Sequence, residues 1–433
     1  MRHCLALCIS APASNQGKTT VTAGVAQNFR RRGRQVRVFK TGPDFLDPMV
    51  LERASGNPVY QLDLWMNGEQ DCRRLLYEAA CDADLILIEG VMGLYDGKPS
   101  TADLAELFHL PVLAVIDAES MAQTFAAIAS GLAAFRSSLT FAGVIANNVA
   151  SVRHAQMLEE AAPTTIAYLG KIFRQTKMVL PSRHLGLVQA AEIDDIEARL
   201  NASADAVEST EIERALKPVE FRPAQRAQLV PLLANTTIAV ARDQAFSFLY
   251  EANLRLLESM GARLVFFSPL ADTTLPSADC VYLPGGYPEL FLDRLSENVA
   301  MKNALQRHCE SKKRIYAECG GMLYLLDRLV DKEGHEGKML GLLPGEAVME
   351  ARLKALGYQS VEFENGLLRG HTFHHSSVKI AEQPIAYGKR AHDSSQGEPV
   401  YRVGSMTASY LHFYFPSNPE AAAAFFSPSA YKK

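Results

Sequence analysis

The chain of 433 residues contains no apolar run of about 18 residues or more, so nothing in it reads as a membrane span. It also lacks an excess of either charge. Lysine and arginine total 44 against 48 acids, a net charge of -4, and no global basic field advertises a nucleic-acid partner. The one basic cluster, Arg30 to Arg34 with Arg37, follows a predicted helix and reads as a solvated helix end. The 7 cysteines are scattered, with neither the paired spacing of a zinc site nor the density of a disulfide scaffold. An odd, dispersed set suits a reducing compartment. The apolar stretch Cys4–Ser10 is too short for an export signal and leads into a glycine-lysine loop, so the expected location is the cytoplasm. Internal repeats and low-complexity tracts are missing as well, which excludes solenoids and linker-dominated architectures.

What remains is an alternation of short apolar runs with helical stretches. Cys4–Ser10, Gln35–Phe39, Asp84–Glu89, Val112–Asp117 and Thr140–Ala146 read as buried strands, with helices at Gly17–Arg32 and Met121–Phe135. Continuous apolar runs separated by helices predict an α/β fold whose mostly parallel, doubly wound sheet is covered on both faces. After Gln189 the composition turns polar and includes Pro218 and Pro223, which predicts a helical segment and linker over 191–235. A second α/β rhythm begins at Thr237–Ala241 and continues through helix Ser247–Met260 and strands Arg263–Phe267, Cys280–Leu283 and Arg314–Ala317. A helix is predicted at Met322–Leu329, and irregular strands follow to Phe413. The expected domains are therefore 1–190 and 236–433.

The segment Ser10-Ala-Pro-Ala-Ser-Asn-Gln-Gly-Lys-Thr-Thr20 joins a strand to a helix. Backbone N–H groups at such a helix start cradle phosphate, helped by the positive end of the helix dipole. Asn15, Gln16, Gly17, Lys18, Thr19 and Thr20 are the expected ATP-binding residues, with Lys18 on the outer phosphates and the Thr19 hydroxyl on Mg²⁺. The strict pattern wants glycine where Pro12 stands. Leu85-Ile-Leu-Ile-Glu89 is an apolar strand ending in an acid, which makes Glu89 a candidate metal ligand. Asp44, Asp47 and Asp96 fall on loops at strand ends, where doubly wound sheets form their ligand crevice. Taken singly, Asp44 and Asp47 can also be read as turn chemistry beside proline.

Cys319 lies between small residues in Ala317-Glu318-Cys319-Gly320-Gly321, after an apolar strand and before a helical stretch. That is the pattern of a strand-to-helix nucleophile elbow, and the helix start is expected to lower the thiol pKa. His412, in Tyr410-Leu-His-Phe413, is the candidate base. Gly285 and Gly286, with the amide of Gly320, are candidate oxyanion donors.

These motifs, with Lys40-Thr-Gly-Pro-Asp-Phe-Leu-Asp47, Glu89-Gly-Val-Met-Gly-Leu-Tyr-Asp-Gly97, Leu283-Pro-Gly-Gly-Tyr-Pro-Glu289 and Arg369-Gly-His-Thr-Phe-His-His-Ser376, carry a resemblance over nearly the whole chain. The sequence resembles the cobyrinic acid a,c-diamide synthases, which join a dethiobiotin-synthetase-like ATPase to a class I-like glutamine amidotransferase domain. The resemblance implies that Cys319 and His412 release ammonia from glutamine, while ATP and Mg²⁺ turn a corrinoid acetate into an acyl phosphate that ammonia displaces, at two acetates in turn. It places Thr19, Asp44 and Glu89 at the metal, Asp47 and Asp96 toward the reacting carboxylate, and His371 and Ser376 toward the corrinoid acid. It further implies a tendency to form homodimers. Three departures stand out. Ala11 and Asn15 occupy positions where the family commonly has glycine, Ala317 replaces the first small residue of the elbow, and Tyr414 stands where a full class I triad has glutamate. A Cys–His dyad is therefore expected. Hydrogenobyrinic acid and a nickel sirohydrochlorin remain alternative substrates. The alternative of a different class is a nucleotide-switched binding protein with a degenerate amidotransferase domain, against which the intact Cys319 and His412 argue.

Overall fold

A computed structural model describes residues 1–183, 186–224 and 229–427 and divides the chain into two compact units, Met1–Arg226 and Ala227–Lys433. In the first unit β1 (Arg2–Ser10) runs into helix α1 (Lys18–Arg31), followed by β2 (Val36–Lys40), α2 (Leu46–Ser55), β3 (Tyr60–Gln61), β4 (Leu85–Glu89), β5 (Val112–Asp117), β6 (Phe141–Val149) and β7 (Tyr168–Phe173). These strands form a parallel sheet in the order β3-β2-β4-β1-β5-β6-β7. Leu7, Ile9, Leu85, Leu87, Leu113 and Val115 are fully buried in it, as continuous apolar strands covered on both faces require. The parallel register sets Lys40 opposite Glu89 at the carboxyl ends of β2 and β4.

The segment expected as a helix and linker is for the most part built into this unit. Helix Ile196–Glu208 packs on α1, where Leu200 and Val207 join Val21 and Val25 in the core and the Gln27 side-chain amide donates to Asn201 at 3.0 Å. Strand Lys217–Phe221 pairs antiparallel with β1, so this segment extends the sheet.

The second unit has a ten-stranded sheet. Arg263–Phe267, Thr237–Ala241, Cys280–Leu283, Arg314–Glu318 and Met406–Ser409 lie parallel in that order, and an antiparallel set continues it through Gly366–His374 to His412–Phe413. The helix expected over Met322–Leu329 is corrected. A helix occupies only Gly320–Leu325, and Leu326–Val330 is a strand paired with Glu336–Lys338 and Leu343–Met349 in a separate sheet. Pairing to two neighbours outweighs the modest helix propensity of Leu326-Asp-Arg-Leu-Val330. Among the described residues no helix is long and apolar enough to cross a membrane.

Candidate active sites

In the first unit the loop from Ser10 to Gly17 turns β1 into α1, and it is tied down from the neighbouring strand ends. The Asn147 side-chain amide donates to the Gln16 carbonyl at 3.0 Å, and the Asp117 N–H donates to the Gln16 side-chain oxygen at 2.9 Å. Gly17 has φ +90°, and a Cβ there would lie 2.1 Å from Asn147 Nδ2, so glycine is required on both counts. Asn15 takes φ 62°, the left-handed region that asparagine tolerates best after glycine. The loop geometry therefore accommodates the departure at that position.

The Lys18 ammonium donates to the carbonyls of Ala13 at 2.9 Å and Met92 at 2.6 Å, which holds it across the mouth of the loop. Burial, and then the neighbouring Lys40, bring its pKa down to about 8. Thr19 Oγ1 donates to Glu89 Oε1 at 2.8 Å. Lys40 Nζ, itself buried, contacts the same Glu89 oxygen at 2.8 Å and Asp47 Oδ2 at 2.6 Å, with Asp44 Oδ2 at 3.9 Å. Burial lowers the Lys40 pKa, but Asp47, Glu89 and Asp44 outweigh it and hold the ammonium above its ordinary range. Burial raises Glu89 and Asp44, whereas Asp47 is held low because Lys40 prevails over its burial. A cavity of about 710 Å³ is lined by Asn15, Gly17, Lys18, Thr19, Thr20, Lys40, Asp44, Asp47 and Glu89, among others.

Three of the four acids expected at this crevice thus line it. Asp96 does not, and its Oδ2 instead accepts from the Gly93 N–H at 2.9 Å. Gln16 is turned into the strand ends rather than the cavity. Asp44 also fills the turn role, since its Oδ1 accepts from the N–H groups of Leu46 and Asp47 at 2.9 and 3.1 Å and so starts α2. Among the described residues no group of three or more His, Cys, Asp or Glu forms a metal cage. Magnesium needs no such cage, because it usually takes one or two carboxylates and shares the substrate's phosphates. Glu89 Oε2, fully buried with no hydrogen-bond partner among the described residues, beside the Thr19 hydroxyl, fits that donor set. Lys40 entered the motif reading only as the first residue of a motif, with no role, and Asn147 did not enter it.

In the second unit Cys319 sits between strand Arg314–Glu318 and helix Gly320–Leu325 with φ 44° and ψ -111°, a conformation that strains any residue but glycine. The elbow is braced by its neighbours. The Cys319 N–H donates to the Ser409 carbonyl at 2.8 Å, and a Cβ on Gly320 would fall 2.9 Å from the Gly286 nitrogen. A Cβ on Gly285 would meet His412 Cε1 at 2.2 Å. The Gly285–Gly286 turn therefore touches the imidazole with one residue and the elbow with the next.

His412 is buried, and the ring of His371 stacks on it with centroids 5.0 Å apart and 17° between planes. His371 Nδ1 is 3.0 Å from the Tyr250 hydroxyl, and Tyr250 packs edge-on against Tyr414 at 5.8 Å. At the position where a full triad has glutamate, the Tyr414 ring packs against Tyr250. His371 and Ser376, expected to face the corrinoid acid, both lie in the interior. His371 is 2% exposed and register-paired with His412, and Ser376 is 1% exposed with its hydroxyl 2.6 Å from that of Tyr410. Both serve the interior around the cysteine–histidine site.

Residues 7–188 match the CobQ/CobB/MinD/ParA nucleotide binding domain, and residues 237–420 match the CobB/CobQ-like glutamine amidotransferase domain. A hydrogenobyrinate a,c-diamide synthase of Stutzerimonas stutzeri is 58% identical over 99% of both chains. One of Pseudomonas aeruginosa is 56% identical over 99% of this chain and 98% of that one. A cobyrinate a,c-diamide synthase of Herminiimonas arsenicoxydans is 48% identical over 97% of this chain and 96% of its own. The chain belongs to the a,c-diamide synthase family of glutamine-dependent ligases.

For an a,c-diamide synthase the resting state of the cysteine site is informative. The expected lowering of the thiol pKa is corrected, because burial, followed by the charge of Glu289, pushes Cys319 above its ordinary value. The Gly320 N–H at the helix start pulls the other way without reversing this. Burial, and then His374, press His412 down to about 3. Both shifts favour the uncharged forms, thiol and imidazole.

Proposed function

We propose that this chain amidates the a and c acetate carboxylates of hydrogenobyrinate, taking nitrogen from glutamine and activation from ATP. The observation that carries the reaction type is a strained cysteine elbow in the same chain as a phosphate loop that opens on a lysine-neutralised carboxylate pocket. The names of the relatives at 58% and 56% identity support hydrogenobyrinate, whereas a relative named for cobyrinate stands at 48%.

In the second unit the Cys319 thiol passes its proton to the His412 imidazole as sulfur bonds to the glutamine carboxamide carbon. The amides of Gly286 and Gly320 are the donors for the resulting oxyanion. His412 returns the proton to the departing nitrogen, ammonia leaves, and water hydrolyses the thioester to glutamate. In the first unit an acetate oxygen attacks the γ-phosphorus of ATP, ADP departs, and ammonia then displaces inorganic phosphate from the acyl phosphate. Activation is needed because a carboxylate is a poor electrophile. Lys18 holds the phosphate oxygens at the loop. Lys40 neutralises the field that Asp47 and Glu89 would otherwise set against an anionic substrate. Thr19 and Glu89, with Asp44 beside them, would hold magnesium, which supplies charge neutralisation on the phosphoryl oxygens.

The test is amide formation from hydrogenobyrinate, cobyrinate and nickel sirohydrochlorin in parallel, with ATP and glutamine, followed by mass spectrometry. Conversion of hydrogenobyrinate to its diamide, with one ATP consumed per amide, is expected. Faster diamide formation from either of the others would reassign the substrate, and ATP turnover without any amidated product would refute the reaction.

A further inference from the structure

Strand His412–Phe413, which carries the base, has no ladder to the strand that carries the nucleophile. It pairs at the far end of the sheet, through Gly370 and His371, whereas Arg314–Glu318 pairs with Cys280–Leu283 and Met406–Ser409. The nearest backbone link between them is the Cys319 N–H to the Ser409 carbonyl, three residues before His412, and side chains add a tie beyond the base. Glu318, the residue before Cys319, is 2% exposed, and its Oε1 accepts from the Phe413 N–H at 3.1 Å, one residue beyond His412. The same oxygen accepts from the Tyr316 hydroxyl at 2.6 Å, and Oε2 accepts from the Tyr282 hydroxyl at 2.8 Å. The Phe413 carbonyl accepts from the Asn253 side chain at 2.7 Å, whose oxygen accepts from the Phe415 N–H at 2.8 Å. A short strand with few ladder bonds is thus suspended between a carboxylate on one side and a carboxamide on the other.

We propose that Glu318 is a positioning residue for glutamine hydrolysis: its carboxylate ties the backbone beside His412 to the backbone beside Cys319 and so sets the distance and angle between base and nucleophile. This rests on the amidotransferase reading of the second unit. Tyr316 and Tyr282 fix the carboxylate in turn, since each donates to a different oxygen and leaves the group one orientation. The site tolerates an unlinked acid poorly, because a buried carboxylate needs its donors. Burial pushes the Glu318 carboxyl up to about 7, and the two tyrosines and the Phe413 amide pull against that rise.

The conservative variant separates linkage from charge. In Glu318→Gln the side-chain oxygen can still accept from Phe413 and Tyr316, and the new amide can donate to Tyr282. Glu318→Met fills the same space and accepts from none of them. Turnover by the full-length enzyme is measured with ATP and corrinoid acid, supplying either glutamine or ammonium. Glu318→Met is expected to lose about 100-fold in glutamine-supported kcat, the cost of misplacing catalytic groups by about 1 Å. Its KM for glutamine and its ammonium-supported rate should each stay within about twofold of wild type, and Glu318→Gln should keep at least about a third of the glutamine-supported rate on the same reasoning. Tyr282→Phe, which spares the bond to Phe413, should resemble Glu318→Gln. The proposal is overturned if Glu318→Met keeps the glutamine rate, if Glu318→Gln is as inactive as Glu318→Met, or if glutamine- and ammonium-supported rates fall together. A wild-type enzyme that uses ammonium but not glutamine would instead refute the amidotransferase reading.

Discussion

Gly285→Ala is the smallest change that addresses the cysteine–histidine geometry. A methyl group there would sit 2.2 Å from His412 Cε1, against an ordinary carbon–carbon contact of about 3.5 Å or more. Ring and loop must therefore separate by about 1.3 Å. Neither moves freely. The Phe248 N–H donates to the Gly285 carbonyl at 3.0 Å, and His412 is stacked on His371 with Phe248 on its flank. Gly285 is not among the glycines of positive φ, so alanine brings no backbone strain and the effect is purely one of space. A displacement of about 1 Å at a reacting group costs about 100-fold, or about 2.7 kcal/mol of activation free energy. The expected result is a fall of that size in glutamine-supported diamide formation, with ammonium-supported formation unchanged. The assay is product formation with each nitrogen source at saturating ATP. A variant that retains more than about a third of the glutamine-supported rate would refute the assignment of His412 as the base, because the misplacement cannot then matter.

Cys319→Ser should abolish glutamine-supported synthesis and spare the ammonium-supported reaction; retained glutamine use would remove Cys319 from the nucleophile role. Lys40→Met leaves Asp47 and Glu89 buried without their cation, and is expected to destabilise the protein by about 3–5 kcal/mol and to abolish turnover with either nitrogen source. Chemical denaturation measures this, and a loss below about 1 kcal/mol would show that the pocket relaxes around the missing charge. His412 is pressed to about 3 in the fold against 6.5 ordinarily, so between those values the unfolded chain binds the extra proton and stability falls as pH falls. Wild type should thus lose about 2 kcal/mol relative to His412→Asn between pH 7 and pH 5, read from paired melting curves. A pH-independent gap would mean that His412 titrates normally.

The parallel sheet was legible because its strands are buried on both faces, so Leu85–Glu89 and Val112–Asp117 are continuous apolar runs with no competing period. Lys217–Phe221 was not legible for the opposite reason. Its burial alternates, with only Val219 and Phe221 inside, and Pro218 reads as a breaker. A proline is nevertheless tolerated in such a short strand that pairs on one side only, opposite Leu5 of β1. Helix Ile196–Glu208 was expected as a helix, but its many charges concealed the face that buries Leu200 and Val207 against α1.

At the sites, glycines and the strained cysteine announced themselves because local backbone geometry selects the residue type within a few positions. Partners created by register did not. Lys40 ends a strand as any solvated lysine might, and only its pairing opposite Glu89, with the first turn of α2 bringing Asp47, turns it into the buried centre of an acid cluster. His371 is a further case: the resemblance sets it toward the corrinoid acid, and nothing local to it in the sequence announces its neighbour. Pairing of Gly366–His374 with the base strand sets His371 opposite His412 and buries it, although Phe373, two residues on and on the same face, is 37% exposed. A strand sends successive side chains to opposite faces, so a polar run cannot act as one surface, and the residue that pairs with the base is set by a strand 41 residues further along the chain. That dependence is also why Glu318 carries more than its sequence position suggests: it is local to the nucleophile, but the N–H it holds belongs to the partner strand.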